Sequence, residues 1–250
     1  VGDAQGSASN NKAAVTAFLE QYYSQSALQK FYDSQCADED INCGIDNSAS
    51  DTVITVGDAG AEPGAGIESM LDIEYITALG SSIKTEFWGF AGRSPDNPEN
   101  EPFLKWLNLV SNTTDAAVPK VFSSSYGEDE QTCSMAWAER LNTEFMKTGA
   151  RGISLLFASG DSGAAGDNGC IDGKFVPQWP SGSPWVTGVG GTQNPDDETA
   201  IGLSSGGFSN RWDRPEWQRD PVAVYLTDTL NLPPRTMFND SGRGIPDIAA

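Results

Sequence analysis

The chain has 250 residues, 38% of them hydrophobic, with seven Trp and eleven Phe, which excludes a disordered chain and suffices for one large α/β domain. Its net charge of −20 excludes nucleic acid and acidic membranes as partners and suits a protein working in acid, where many carboxylates are neutral. It contains no His, so a Ser/His/Asp or Cys/His mechanism is excluded and acid–base chemistry must come from Asp, Glu, Lys, Tyr or Cys. No apolar run reaches the ~18 residues of a membrane span, and no charged-then-apolar leader opens the chain. Val1 is therefore read as a mature or processed N-terminus.

Residues 1–10 are small and polar, and read as loose. Across 12–32, Val15, Phe18, Leu19, Tyr22, Leu28, Phe31 and Tyr32 recur at helical spacing. Residues 33–51 are acidic and contain two Cys, and read as a loop. The β-branched run 52–56 predicts a buried strand, 57–66 a Gly-rich turn and 67–79 a helix. Strands are then expected at 84–90, 119–123, 153–158 and 185–190, with helices at 103–111 and 132–149. On the second helix Trp137, Leu141 and Phe145 are spaced to share one face. Beyond Thr192 the Pro-rich chain reads as loops. This alternation predicts a mostly parallel sheet covered by helices, with ligands beyond the carboxyl ends of its strands. Three segments leave strands there: 57–68, 124–128 and 159–163.

The first contains Glu68-Ser69-Met70-Leu71-Asp72. Carboxylates at i and i+4 lie one helical turn apart on one face, and two acids that close split their pKa values, which makes one a usable base. By itself the spacing is more often a solvated helix face. The third segment, Ser159-Gly160-Asp161-Ser162-Gly163, brackets an Asp with two glycines at a strand exit, where backbone can approach a ligand; an Asp-capped turn explains the pentapeptide as well. The stretch 57–66 resembles a phosphate loop, but the register from Gly64 fails at Ser69 and no Gly-Lys-Ser/Thr follows. Ser123-Ser124-Ser125-Tyr126-Gly127 ends a strand in small residues, offering either an edge for an extended peptide or a plain turn.

Four Cys allow three pairings; the favoured one joins Cys36 to Cys43 in a short local loop and Cys133 to Cys170. Sequons at Asn112 and Asn239, together with the Cys, favour the secretory pathway.

These motifs occur together in the sedolisin family of serine-carboxyl peptidases, which the chain resembles from about residue 18 to residue 250. The resemblance is carried by Gly66-Ile67-Glu68-Ser69-Met70-Leu71-Asp72-Ile73-Glu74-Tyr75, Glu101-Pro102-Phe103-Leu104-Lys105-Trp106-Leu107 and Ser125-Tyr126-Gly127-Glu128-Asp129-Glu130. It continues through 155–163, Gly188-Val189-Gly190-Gly191-Thr192, Gly206-Gly207-Phe208-Ser209-Asn210 and Pro246-Asp247-Ile248-Ala249-Ala250. The resemblance implies a subtilisin-like three-layer fold with a Ser/Glu/Asp triad. Glu68 is then the general base, Asp72 its partner, and Asp161 the oxyanion-hole acid. It also implies that Ser125, Tyr126 and Gly127 on one side, and Ala158, Ser159 and Gly160 on the other, flank a bound peptide. Asp247 is read as structural. The expected substrate is a peptide or unfolded protein, cleaved in acid by release of tripeptides or internally, in a lysosome, an acidic vacuole or outside the cell.

One element of the family pattern is missing. Its nucleophile lies in a Gly-Thr-Ser motif after Pro-Asp-x-Ala-Ala; this chain contains no Gly-Thr-Ser, and the nearest approach is Gly191-Thr192-Gln193. The 250 residues are thus expected to form a single catalytic domain lacking its C-terminal portion, with the serine and the family's calcium ion supplied from beyond residue 250, for instance by a second chain. No cofactor is expected within the chain itself. Two rivals remain: an acidic glycoside hydrolase using paired carboxylates, and a non-catalytic binding or structural glycoprotein.

Overall fold

The computed structural model of the chain describes residues 11–36, 42–60 and 64–250. The expectation for 1–10 and part of those for 33–51 and 57–66 lie outside the described residues. In chain order the strands are β1 (Lys12–Ala17), β2 (Val53–Gly57), β3 (Lys84–Gly89), β4 (Val121–Ser124), β5 (Glu128–Asp129), β6 (Ser154–Ala158), β7 (Gln178–Trp179) and β8 (Thr187–Gly190). There follow β9 (Thr192–Gln193), β10 (Thr199–Ala200), β11 (Gly207–Asp213), β12 (Gly242–Ile245) and β13 (Ile248–Ala249). The α-helices are α1 (Gln25–Gln35), α2 (Ala49–Thr52), α3 (Ile67–Leu79), α4 (Phe103–Asn112), α5 (Met135–Ala150) and α6 (Arg219–Asp228). Seven strands form one sheet in the order β13-β8-β6-β4-β1-β3-β2, and β1/β3, β1/β4, β2/β3, β6/β8 and β8/β13 all pair in parallel.

The chain separates into two compact units, the first from Val1–Ser125 with Lys147–Leu155, the second from Tyr126–Met146 with Leu156–Ala250. In the first, β1 lies between β3 and β4. This corrects the helical reading of 12–32: residues 12–17 are a strand and the helix begins only at Gln25, capped by the Ser24 hydroxyl, which accepts from Ala27 N at 3.2 Å. A strand covered on both faces shows no alternation, and the Ala-rich segment has helix propensity that its neighbours override. Conversely 53–57 is an edge strand, with Ile54 43% exposed, where a buried strand was expected. The core of this unit is aromatic: Phe18 packs edge-on to Phe103 at 5.1 Å, and Phe122 meets Trp88 at 5.1 Å and Trp106 at 5.5 Å. Such pairs contribute about 0.5–1.5 kcal/mol each beyond the area they bury. Buried Glu86 is satisfied by Lys12 Nζ and Trp88 Nε1, each donating at 2.8 Å.

In the second unit Phe145 on α5 packs against Phe157 on β6 and against Trp179. Leu141 and Phe145 are buried and Trp137 is half-buried, as their spacing requires. The region after Thr192 is less loop-like than expected: β11 pairs antiparallel with β12, and α6 lies between them in sequence. Pro221 stands in the first turn of α6, where its missing N–H costs nothing.

Candidate active site

Helix α3 has the bounds expected from its pattern, and its orientation follows from three faces. Ser69, Ile73 and Thr77 are buried; Ile67, Leu71, Tyr75 and Leu79 are exposed; Glu68 and Asp72 fall between, half-buried. The first turn is pinned: Gly66 N donates to Tyr22 O at 2.9 Å, and Ser69 Oγ donates to the same carbonyl and to Gly66 O. A Cβ at Gly66 would stand 1.7 Å from Gln21 Oε1, so the Gln21 side chain lies close against this turn.

The Asp72 carboxyl is not a solvated acid. Burial pushes it up to about 7; the Glu68 charge adds to this, and a hydrogen bond from Ser125 opposes it. Ser125, just after the carboxyl end of β4, donates from Oγ to Asp72 Oδ1 at 2.6 Å. Asp72 Oδ2 is buried and has no hydrogen-bond partner among the described residues. The structure therefore brings together Glu68, Asp72 and Ser125. The side-chain role of Ser125 was not legible: the sequence marked only its backbone, and the bond spans 53 positions.

Asp161 belongs to the second unit, exposed on the loop after β6. Gly160 N-terminal to it has φ +104°, and a Cβ there would lie 2.7 Å from Gln178 Cγ and 2.9 Å from Ser205 Oγ. Ser162 N donates to Ser205 Oγ at 3.0 Å and Gly163 N to Leu203 O at 3.0 Å. Within 158–160, Ser159 N already donates to Val189 O at 2.8 Å and Gly160 O accepts from Ser205 N at 2.8 Å. Those two backbone groups serve the fold; Ala158 is exposed. Across 125–127, Ser125 is half-buried, Tyr126 buried and Gly127 exposed.

The sequence also concealed the buried acids that follow. Asp129 is buried and accepts from Asp167 N (2.8 Å), Asn168 N (3.0 Å), Asn168 Nδ2 (2.8 Å), Gln178 Nε2 (2.6 Å) and Gln131 Nε2 (3.2 Å). A carboxylate taking that many N–H donors is held in one orientation, and here it organises the turn after Asp161. Gly166, at φ +73°, lets the turn close on it, since a Cβ would stand 2.5 Å from Asp129 Oδ1. Glu130 accepts from Ser209 Oγ and Asn210 N; burial raises its carboxyl, against these hydrogen bonds and the Arg211 charge. The signals were three consecutive acids, Glu128-Asp129-Glu130, a run that is usually a solvated turn, and their place in the 125–130 motif that carries the family resemblance.

Asp247 is committed to structure, accepting from Arg243 Nη2, Gly188 N and Gln218 Nε2. Cys36 and Cys43 are bridged, but the expected Cys133–Cys170 bridge is not formed: both are thiols, Cys133 buried before α5 and Cys170 exposed on a loop. Asn112 is exposed at the end of α4; Asn239 is half-buried and donates from Nδ2 to Ser209 O at 2.8 Å. A cavity of about 790 Å³ in the second unit is walled by Phe208, Trp217, Tyr225 and Phe238; of its polar lining, Gln218 donates to Gly244 O and Asp247 accepts from Arg243. Among the described residues no cluster of three or more His, Cys, Asp or Glu is arranged to hold a metal ion, so no step is assigned to calcium. Among them, too, no helix is long and apolar enough to cross a membrane.

No family model matches the chain. It is similar to tripeptidyl-peptidase 1 of Bos taurus, 43% identical over 257 residues that cover 99% of this chain and 43% of that protein. The proteins of the same name from Mus musculus and Homo sapiens are each 42% identical over 257 residues, with the same coverage. The chain thus spans 43% of the length of these curated relatives. Among solved structures it is similar to Pseudomonas sedolisin, a serine-carboxyl proteinase complexed with two molecules of pseudo-iodotyrostatin, with TM-score 0.66 and 21% identity, over 96% of this chain and 64% of that one. At that identity the likeness is one of fold: a mixed α/β architecture on a mostly parallel sheet.

Proposed function

We propose, from the premise that the chain is a homologue of tripeptidyl-peptidase 1 over 99% of its own length, that it supplies the proton-handling and oxyanion groups of an acid-acting serine-carboxyl peptidase. The observation that carries this reading is the Asp72 carboxyl: buried, hydrogen-bonded by Ser125, pushed up to about 7, and one turn from Glu68. An acid in that state is neutral at pH values well below about 7. It holds a proton beside Glu68 without adding a second negative charge, and leaves Glu68 as the base that takes the proton of an attacking serine hydroxyl. Asp161, in its acid form, donates a hydrogen bond to the oxyanion of the tetrahedral intermediate. Ser125, Tyr126 and Gly127, with Ala158 and the remaining backbone of 158–160, hold the peptide extended.

The chain has no Gly-Thr-Ser and spans 43% of its relatives, so the serine, and the calcium ion of the family, are assigned to sequence outside these residues, on the same or a second chain. The substrate is a peptide or unfolded protein, cleaved by removal of tripeptides, in an acidic compartment of the secretory pathway.

The test is peptide hydrolysis by the intact natural protein at about pH 4, with mass analysis for a Gly-Thr-Ser sequence. Tripeptide release is expected, with Glu68→Gln inactive and Asp161→Ala lowered in kcat by roughly 10²–10³. Hydrolysis that survives Glu68→Gln, or that is equally fast at pH 8, overturns the assignment. A protein with no hydrolysis and no Gly-Thr-Ser is the non-catalytic relative.

A further inference from the structure

The two oxygens of Asp72 stand in different surroundings. Oδ1 accepts the Ser125 hydroxyl at 2.6 Å, while Oδ2 is buried and has no hydrogen-bond partner among the described residues. The charged group that acts on this carboxyl is Glu68 on the same helix, and the Ser125 hydroxyl reaches it from just past the end of β4. We propose that Ser125 is a positioning residue whose hydroxyl, by occupying Oδ1, orients the Asp72 carboxyl and confines its proton to Oδ2.

The inference rests on the reading of Glu68 and Asp72 as the proton-handling pair. A hydroxyl donating to Oδ1 already satisfies that oxygen, so a proton placed there would meet another O–H. Oδ2 is the oxygen with room for it. As a bare acceptor out of water, Oδ2 is costly; as O–H it becomes a donor for a neighbouring carboxylate. The hydroxyl also limits how far the proton is held: it favours the charged form of Asp72, against burial and the Glu68 charge. Ser125 thereby sets both the place of the proton and the pH at which it leaves. Because Ser125 also begins the segment proposed to hold the peptide, a shift of that backbone on binding is transmitted to Asp72 through one bond.

The experiment is a titration of the intact protein labelled with ¹³C at the Asp carboxyl carbon, with Asp72→Asn used to identify the Asp72 signal. The midpoint of the unsubstituted protein is expected near about 7, moved up by roughly one unit in Ser125→Ala and restored in Ser125→Thr. The alkaline limb of kcat/KM is expected to move with it, with kcat falling more than KM changes. A midpoint that stays in place in a Ser125→Ala protein of unchanged melting temperature overturns the inference, as does a Ser125→Thr protein that keeps the shifted midpoint. Should Ser125→Ala fail to fold, Ser125→Cys, a weaker donor of similar size, is expected to give a partial upward shift, and no shift counts against the inference. Midpoints that move in a protein without peptidase activity sink the functional reading and leave the bond's effect; activity with unmoved midpoints sinks this inference alone.

Discussion

Arg243, with no exposed side-chain surface, donates to the carboxylate of Asp247, and the same carboxylate takes the N–H of Gly188 at 2.7 Å. The guanidinium also donates to Gly244 O at 2.7 Å and Val186 O at 3.2 Å and lies 5.9 Å from the centroid of Trp217. Asp247→Ala would leave a buried cation and a backbone donor without their acceptor. Removing one partner of such a pair costs about 3–5 kcal/mol. A urea melt of the intact protein is expected to show a loss of that size, with Asp247→Asn losing less. A change under about 1 kcal/mol would place Asp247 outside the structural role.

Asp129 takes N–H donors from the adjacent residues Asp167 and Asn168 in the turn after Asp161 and from Gln178 on β7. Asp129→Asn keeps the shape but turns an NH₂ toward those donors. Hydrogen bonds to a charged group contribute about 1.5–3 kcal/mol, so amide exchange at Asp167 and Asn168 is expected to speed up by roughly 10- to 100-fold. Unchanged protection at both amides would show that the turn is held by other contacts, such as Ser162 Oγ on Asp167 Oδ1.

Burial raises the carboxyls of Asp72 and Glu130 above their unfolded values. Between the unfolded and folded values the folded state binds more protons, so stability falls as pH rises; for Asp72 the window runs from its ordinary value of 3.8 to about 7. Asp58, lowered by its bond to Lys105, acts with the opposite sign but only below 3.8. The net charge of −20 at neutral pH adds self-repulsion in the same direction as the buried acids. Melting temperatures are expected to be highest at about pH 4–5 and to decline toward pH 8, with the decline shallower in Asp72→Asn. A melting temperature that climbs toward pH 8 contradicts this account.

The two sequons are not equivalent once folded. Asn112 is exposed, whereas the Asn239 Nδ2 that a glycan would occupy donates to Ser209 O, and its Oδ1 accepts from Ser241 Oγ at 2.8 Å. Glycopeptide mass spectrometry is expected to find a glycan on Asn112 and unmodified Asn239. A glycan on Asn239 would mean that this turn is open when it is modified.

Much of the fold was readable in local pattern. The bounds of α3 and α4, and strands β3, β4 and β6, follow from hydrophobic periodicity broken by Gly and Pro, which is a property of neighbouring residues. The absence of His excluded imidazole acid–base chemistry, and the spacing of Glu68 and Asp72 placed both on one helix face before any contact was known. What failed was what neighbours do not carry. Residues 12–17 are a strand because β3 and β4 flank them; 53–57 is exposed because β2 has a partner on one side only. Cys133 and Cys170 stay unbridged, one buried and the other on an exposed loop, a separation that four Cys in a sequence do not reveal. Asp129 and Glu130, which composition alone would leave in water, are buried against donors brought from 167 to 210. The sequence by itself determined which chemistry the chain can offer. Only tertiary structure decided that the Asp72 carboxyl is pushed up to about 7, because burial, and the Ser125 hydrogen bond that opposes it, reach Asp72 through the fold and not along the chain.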